Sequence, residues 1–213
     1  MLVGERMSHP VLTVSPDMSA LDAQAFMRRE HIRRAPVIQN GKLVGIVTEG
    51  DLLNASPTQA TLLSVWEISY LVSKIKVSQV MSKNVTTISE DTPIEEAARV
   101  MIDNKVGGLP VTLDGKVVGM ITETDLFKIF LELMGARTKA IRVTAEIEDK
   151  PGTLAKVTKA IADAGGNFIS FGQFSGDDPS SKILTFKIAG LKKDEITKAL
   201  NKTVKKLWDI RQS

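Results

Sequence analysis

The chain has 213 residues, 43% of them apolar and 25% charged, with a net charge of +3: the make-up of an ordinary globular protein of one or two domains with room for a sizeable core. No apolar run approaches the roughly 18 residues that span a bilayer, and the first six residues lack a basic region followed by an apolar one, so neither membrane insertion nor secretion is expected. The absence of cysteine excludes disulfides, thiol redox chemistry and cysteine-ligated zinc, and it suits a cytoplasmic location.

In chain order, the first feature is a repeat. Residues 7–53 and 81–127 are two copies of one pattern at a constant shift of 74, identical at 18 of 47 positions. Each copy is too short to bury a good core alone, so the two are expected to share one and to create two quasi-equivalent clefts. Asn40-Gly41 in the first copy and Asp114-Gly115 in the second each separate two short apolar runs, which predicts tight hairpins. Between the copies, Ser56-Pro57-Thr58-Gln59 predicts a helix over 57–73 carrying Leu62, Trp66 and Tyr70, a surface for its own repeats or for a second copy.

The second copy shows its helices most clearly. Thr92-Pro93-Ile94-Glu95 reads as a capping box with proline at the first position. Ile94, Ala97, Ala98, Met101 and Ile102 then follow the spacing of a buried stripe, predicting a helix over 93–104. A further helix is expected from Glu123 to about Met134, stopped by Gly135. Each repeat is thus strand, helix, hairpin, helix. From Lys139 onward the pattern changes to βαββαβ: strands over 141–147, 168–174, 183–188 and 207–210, with helices over 152–164 and 193–206. This tail carries 14 basic and 9 acidic residues; its lysines at 192, 193, 198, 202, 205 and 206 read as a solvated helix face, and nucleic-acid binding is not expected.

Chemistry concentrates at Gly45 to Asp51 and Gly119 to Asp125, where glycine, two apolar residues and threonine precede an aspartate three residues further on. Thr48 and Thr122 fall where strand passes into helix. Hydroxyl and helix N–H groups there can hold a phosphate or ribose oxygen, and Asp51 or Asp125 can accept from a vicinal diol. Capping alone also accounts for either pair. The copies differ ahead of their Pro-Val: Arg33-Arg34 in the first, Gly107-Gly108 in the second.

On these residues the two copies resemble the CBS domain family, and the pair a Bateman module, over about 120 residues. The resemblance implies adenine nucleotide or S-adenosylmethionine between the repeats, with Thr48, Asp51, Thr122 and Asp125 toward ribose and phosphate. It also implies Arg33 and Arg34 toward phosphate, and in some members the basic pair would group with Thr122 and Asp125 of the other repeat. One cleft is then expected to bind a charged nucleotide better than the other. A few charge-assisted hydrogen bonds at about 1.5–3 kcal/mol each, less the cost of association, correspond to micromolar affinity.

The tail has Asp149-Lys150-Pro151-Gly152-Thr153-Leu154, then Asn167 at its second strand, and resembles an ACT domain. That resemblance implies a ferredoxin-like fold that pairs with a second copy and holds an amino acid near Asp149, Gly152, Leu154 and Asn167. The expected class is therefore α+β, with CBS repeats over 1–54 and 81–136, a helical linker over 55–80 and an ACT domain over 139–213. The whole order is similar to the acetoin-utilisation AcuB-type family, implying a dimeric, non-enzymatic regulator of acetoin or acetate metabolism with a metabolic enzyme as partner. The competing expectation is a dimeric interaction scaffold with degenerate clefts. No metal or catalytic constellation is legible: His9 and His31 are the only histidines, and no phosphate-binding or nucleophile-elbow glycine motif occurs.

Overall fold

The computed structural model describes residues 1–55 and 74–213; the helix expected over 57–73, with Leu62, Trp66 and Tyr70, lies outside them. Two units are distinguished, Met1–Leu126 and Phe127–Ser213.

In the first repeat, α1 (Ala20–Arg29) starts because Ser19 caps it, its Oγ accepting from the Asp22 N–H at 3.1 Å, and it buries Ala20, Ala23 and Met27. β1 (Arg34–Gln39) and β2 (Lys42–Thr48) pair antiparallel across Asn40 and Gly41, both at positive φ (50° and 75°), as a two-residue primed turn demands. A short helix, α2 (Glu49–Asn54), follows. After the segment outside the description comes α3 (Val77–Val80).

The second repeat copies this plan with β3 (Ile88–Ser89), α4 (Ile94–Asn104), β4 (Gly108–Leu113), β5 (Lys116–Thr122) and α5 (Glu123–Leu133). Its hairpin turns at Asp114 and Gly115 (φ 49° and 75°), and both hairpins shift register at the same place, after Val37 and after Val111. The expected capping box at Thr92 is absent. Pro93 is itself the residue before the helix, and no side chain caps α4; Thr92 instead gives its carbonyl to the Val3 N–H at 2.9 Å.

That contact belongs to an exchange. The lead-in of each repeat packs on the other. Ser8 and Met120 trade backbone hydrogen bonds (2.8 and 3.1 Å), as do Ser82 and Ile46 (2.9 Å each). Val3 is fully buried among Ile88, Ala97, Leu109, Val111 and Ile121 of the second repeat, while Val77 is buried among Val14, Ala23, Val37 and Leu52 of the first. Each exchanged valine adds about 1.5–3 kcal/mol to a core it does not adjoin in sequence. Gly45 and Gly119 permit the close approach: a Cβ would lie 2.5 Å from Met81 Sδ and 2.3 Å from Met7 Sδ. Gly119→Ala should therefore lower stability by about 1–3 kcal/mol through overpacking, read as a shift in urea midpoint without change in slope; an unchanged midpoint would show that Met7 yields freely.

The second unit has β6 (Ile141–Glu148), α6 (Thr153–Asp163), β7 (Asn167–Ser175), β8 (Ser181–Ala189), α7 (Lys193–Leu200) and β9 (Lys206–Gln212). Its sheet runs β7-β8-β6-β9, all antiparallel, which is the ferredoxin-like order. Alternation in β8 sends Leu184, Phe186 and Ile188 to a core shared with Val157, Ile161, Ile196 and Leu200. On the opposite side Lys187 is buried, and its Nζ donates to the carbonyls of Gly135 (3.0 Å) and Thr138 (3.1 Å), tying down the stretch that follows α5. The helix expected over 193–206 ends at Leu200. Thr203 Oγ1 donates to the Leu200 carbonyl, and Lys205 leaves the helix face to pair with Glu146 at 2.9 Å and Asp178 at 3.5 Å, so the supposed lysine stripe does not exist as one face.

Candidate functional site

Arg34 opens β1 directly opposite Thr48 at the end of β2, and Asp51 follows in the first turn of α2. Thr48 and Asp51 form a reciprocal cap. Thr48 Oγ1 donates to Asp51 Oδ2 (2.7 Å) and accepts from the Asp51 N–H (3.2 Å), while the Thr48 N–H also donates to Oδ2 (2.8 Å). Capping thus commits one carboxylate oxygen only. Among the described residues Asp51 Oδ1 accepts no hydrogen bond, and the side chain is half-buried.

These three residues line a cleft of about 290 Å³ whose far wall is the second repeat. Asn84, Val85 and Thr86 line it outside any helix or strand, and among the described residues their backbone N–H and C=O groups have no partner. Ile46 and Val106 add apolar surface, and Lys105 adds a cation. The volume lies at the small end of the range for ligand pockets, roughly 300–1,000 Å³. The sequence marked Thr48, Asp51 and Arg34 as site residues; it did not mark Asn84–Thr86.

The second cleft differs. Thr122 Oγ1 and N–H both donate to Asp125 Oδ2 (2.7 and 3.1 Å), but Asp125 is only 7% exposed, where Asp51 is half-buried. Arg33 Nη2 donates to Thr124 Oγ1 at 3.1 Å, beside that pair. The expected grouping of both arginines with Thr122 and Asp125 therefore needs correcting. Arg33, in the bend before β1, reaches Thr124 of the second repeat, and Arg34, the first residue of β1, lines the cleft of Thr48 and Asp51. Burial holds the Arg34 guanidinium below its ordinary pKa; Glu123 opposes that shift and Arg33 adds to it.

In the second unit, Gly152 takes a left-handed conformation (φ 83°) ahead of α6, with open space where a Cβ would be, and Leu154 is exposed. Asp149 pairs with Lys182 at 3.4 Å, and its N–H donates to the Ser180 carbonyl. Asn167 stands level with Ala189, at the other end of β8 from Ser181 and the Asp149 turn. The nine residues of β8 put roughly 25 Å between them. One chain does not bring Asn167 together with Asp149, Gly152 and Leu154.

The CBS domain family model matches residues 3–58 and 77–132. A CBS domain-containing protein of Dictyostelium discoideum is 34% identical over 136 residues, 62% of this chain and 93% of its own length. The chain spans less of other curated relatives, 47% and 23% of two Methanocaldococcus jannaschii proteins. Among solved structures, the CBS domain pair of protein MJ0100, in complex with 5-methylthioadenosine and S-adenosyl-L-methionine, is 28% identical with a TM-score of 0.52, over 65% of this chain and 98% of that one. A Vibrio cholerae protein assigned to acetoin utilization (AcuB) is 30% identical with a TM-score of 0.53, over 64% of this chain and 95% of that one. CBSX2, in complex with AMP, is 28% identical with a TM-score of 0.50, over 61% of this chain and 96% of that one.

Proposed function

This chain belongs to the CBS domain family, and we propose that it is a non-enzymatic regulatory sensor that takes an adenosine ligand in the cleft of Thr48 and Asp51. The observation that carries the reading is the half-used Asp51 carboxylate. Oδ2 is spent on the cap, and Oδ1 remains for a ribose diol. The backbone of Asn84–Thr86 supplies donors and acceptors for a purine edge beside Ile46 and Val106, and Arg34 with Lys105 stands where phosphate would follow. The adenosine ligands of MJ0100 and CBSX2 support the ligand class, and the likeness to AcuB supports a place in acetoin or acetate metabolism. The sensing is cytoplasmic, and among the described residues no helix is long and apolar enough to cross a membrane.

The ferredoxin-like unit is, on this reading, an ACT domain. An amino acid contacting the Asp149–Leu154 turn and an Asn167 would need two copies of the chain, because one copy keeps these residues apart. Ligand then acts by its differential affinity for two packings of the modules or of the dimer, the protein in turn acting on a metabolic enzyme.

Thermal unfolding of the whole chain with AMP, ADP, ATP, S-adenosylmethionine and amino acids tests this. A ligand at a hundredfold over its Kd adds about 2.7 kcal/mol, so an adenosine compound should raise the midpoint clearly. Failure of all of them would favour the scaffold reading, for which the exposed Phe127 (67%), Phe130 (50%) and Leu133 (59%) on α5 are the specific observation: apolar side chains suited to a second copy or another protein.

A further inference from the structure

We infer that the ferredoxin-like unit carries a ligand site of its own, a basic cavity at the end of the sheet where β8 passes into α7, and that it takes a small polyanion with at least two phosphate or carboxylate groups. The site belongs to Phe127–Ser213 alone and stands independently of the adenosine reading.

The cavity holds about 500 Å³, more than the 290 Å³ of the Thr48–Asp51 cleft and well inside the roughly 300–1,000 Å³ of small-molecule pockets. Lys139, Lys192, Lys193 and Arg211 line it, and no carboxylate side chain does. Buried Ala140 and Ile188 add apolar surface. Gly190 and Leu191 bring main-chain N–H groups that have no acceptor among the described residues.

The cations come from three separate stretches of the chain, and the fold makes them converge. Ala140 and Ser213 trade main-chain hydrogen bonds (3.1 and 3.0 Å), which sets Lys139 beside the end of β9 and so beside Arg211. Ile141 stands level with both Gln212 and Ile188, so the end of β8 reaches the same place. There Gly190, at φ 87°, turns the chain toward α7 and delivers Lys192 and Lys193.

The neighbouring acids are already engaged. Glu195 accepts from the Lys192 N–H at 2.6 Å, so the start of α7 has its own cap. Asp209 is bound by Arg211 (2.7 Å) and Arg142 (3.4 Å), leaving Lys193 only a longer-range attraction to it. Lys150, Lys159, Lys182 and Lys205 of the same unit each pair with a carboxylate; among the described residues Lys139, Lys192 and Lys193 pair with none.

Cations gathered this way repel one another, and a concave wall with apolar surface concentrates their field. A ligand with two or more anionic groups answers several of them at once through charge-assisted hydrogen bonds, which an ion with one anionic group cannot do. Nucleic acid fits less well, because no aromatic side chain lines the cavity for a base to stack on.

Calorimetry on the whole chain at low salt, with inorganic pyrophosphate, citrate and inorganic phosphate as probes, tests this on wild type, Lys192→Gln/Lys193→Gln and Arg34→Gln. Pyrophosphate or citrate should bind wild type at least about tenfold tighter than phosphate, and whichever does so tells phosphate chemistry from carboxylate. The double lysine variant should lose about tenfold or more of that affinity, whereas Arg34→Gln should keep it. Both lysines are exposed, so the double variant should unfold at the wild-type denaturant concentration. Neither probe exceeding phosphate overturns the inference, and so does a double variant that binds as wild type does. Loss of binding in Arg34→Gln with the double variant unaffected overturns it too, by moving the anion to the Thr48–Asp51 cleft.

Discussion

Asp51→Ala should weaken AMP binding by about 10- to 100-fold, whereas Asp125→Ala should leave it within about threefold, as measured by calorimetry. The sequence treats these aspartates as equals. The structure does not: both accept from the threonine three residues earlier, but Asp51 is half-buried in an open cleft and Asp125 is 7% exposed. Loss of the cap costs each variant about 1 kcal/mol of stability, so the two should unfold at similar denaturant concentrations while differing in affinity. Equal loss of affinity in both would show that the second cleft opens and binds as well.

Val3→Asp should destabilise the CBS unit by at least about 3 kcal/mol. Val3 is fully inside the core of the second repeat, and its N–H donates to the Thr92 carbonyl. An aspartate there buries an unpaired carboxylate in place of apolar surface. Hydrogen exchange reads it by element: amides of β4 and β5 should lose protection while those of β6 and β8 keep theirs. Uniform behaviour across both sets, or none, would contradict the exchanged packing.

The parts of this fold with local causes were legible in the sequence. Asn40-Gly41 and Asp114-Gly115 turn as such dipeptides do, because each needs two successive positive φ values. The βαββαβ order of the tail followed from period-2 and period-3.6 patterns, and the sheet order β7-β8-β6-β9 agrees with it. The misjudged features have distant causes. Thr92 has the right neighbours for a cap, but Val3, 89 residues away, takes its carbonyl and sets the entry to α4. The lysines after Leu200 continue a helical spacing on paper; Glu146 and Asp178 draw Lys205 to the sheet instead.

At the cleft, the Thr-Asp pairs could be read from residue type and spacing, and Arg33 and Arg34 were singled out by resemblance; where each arginine side chain lies could not be read. Where each arginine lies depends on the bend that leads into β1, and Arg34 lies against Gly107 and Gly108, where a Cβ would meet its guanidinium at 2.5–2.6 Å. The backbone of Asn84–Thr86 was invisible as well, since any side chains would leave the same N–H and C=O groups. Gly107 and Gly108 stand at the shift of 74 from Arg33 and Arg34, and Arg34 lies against both.

The most direct measurement is a crystal structure of the whole chain grown with saturating AMP. Ribose should lie on Asp51, adenine against the backbone of Val85 and Thr86, and phosphate on Arg34. Nucleotide seated instead between Thr122, Asp125 and Arg33, with the Thr48–Asp51 cleft empty, would contradict it.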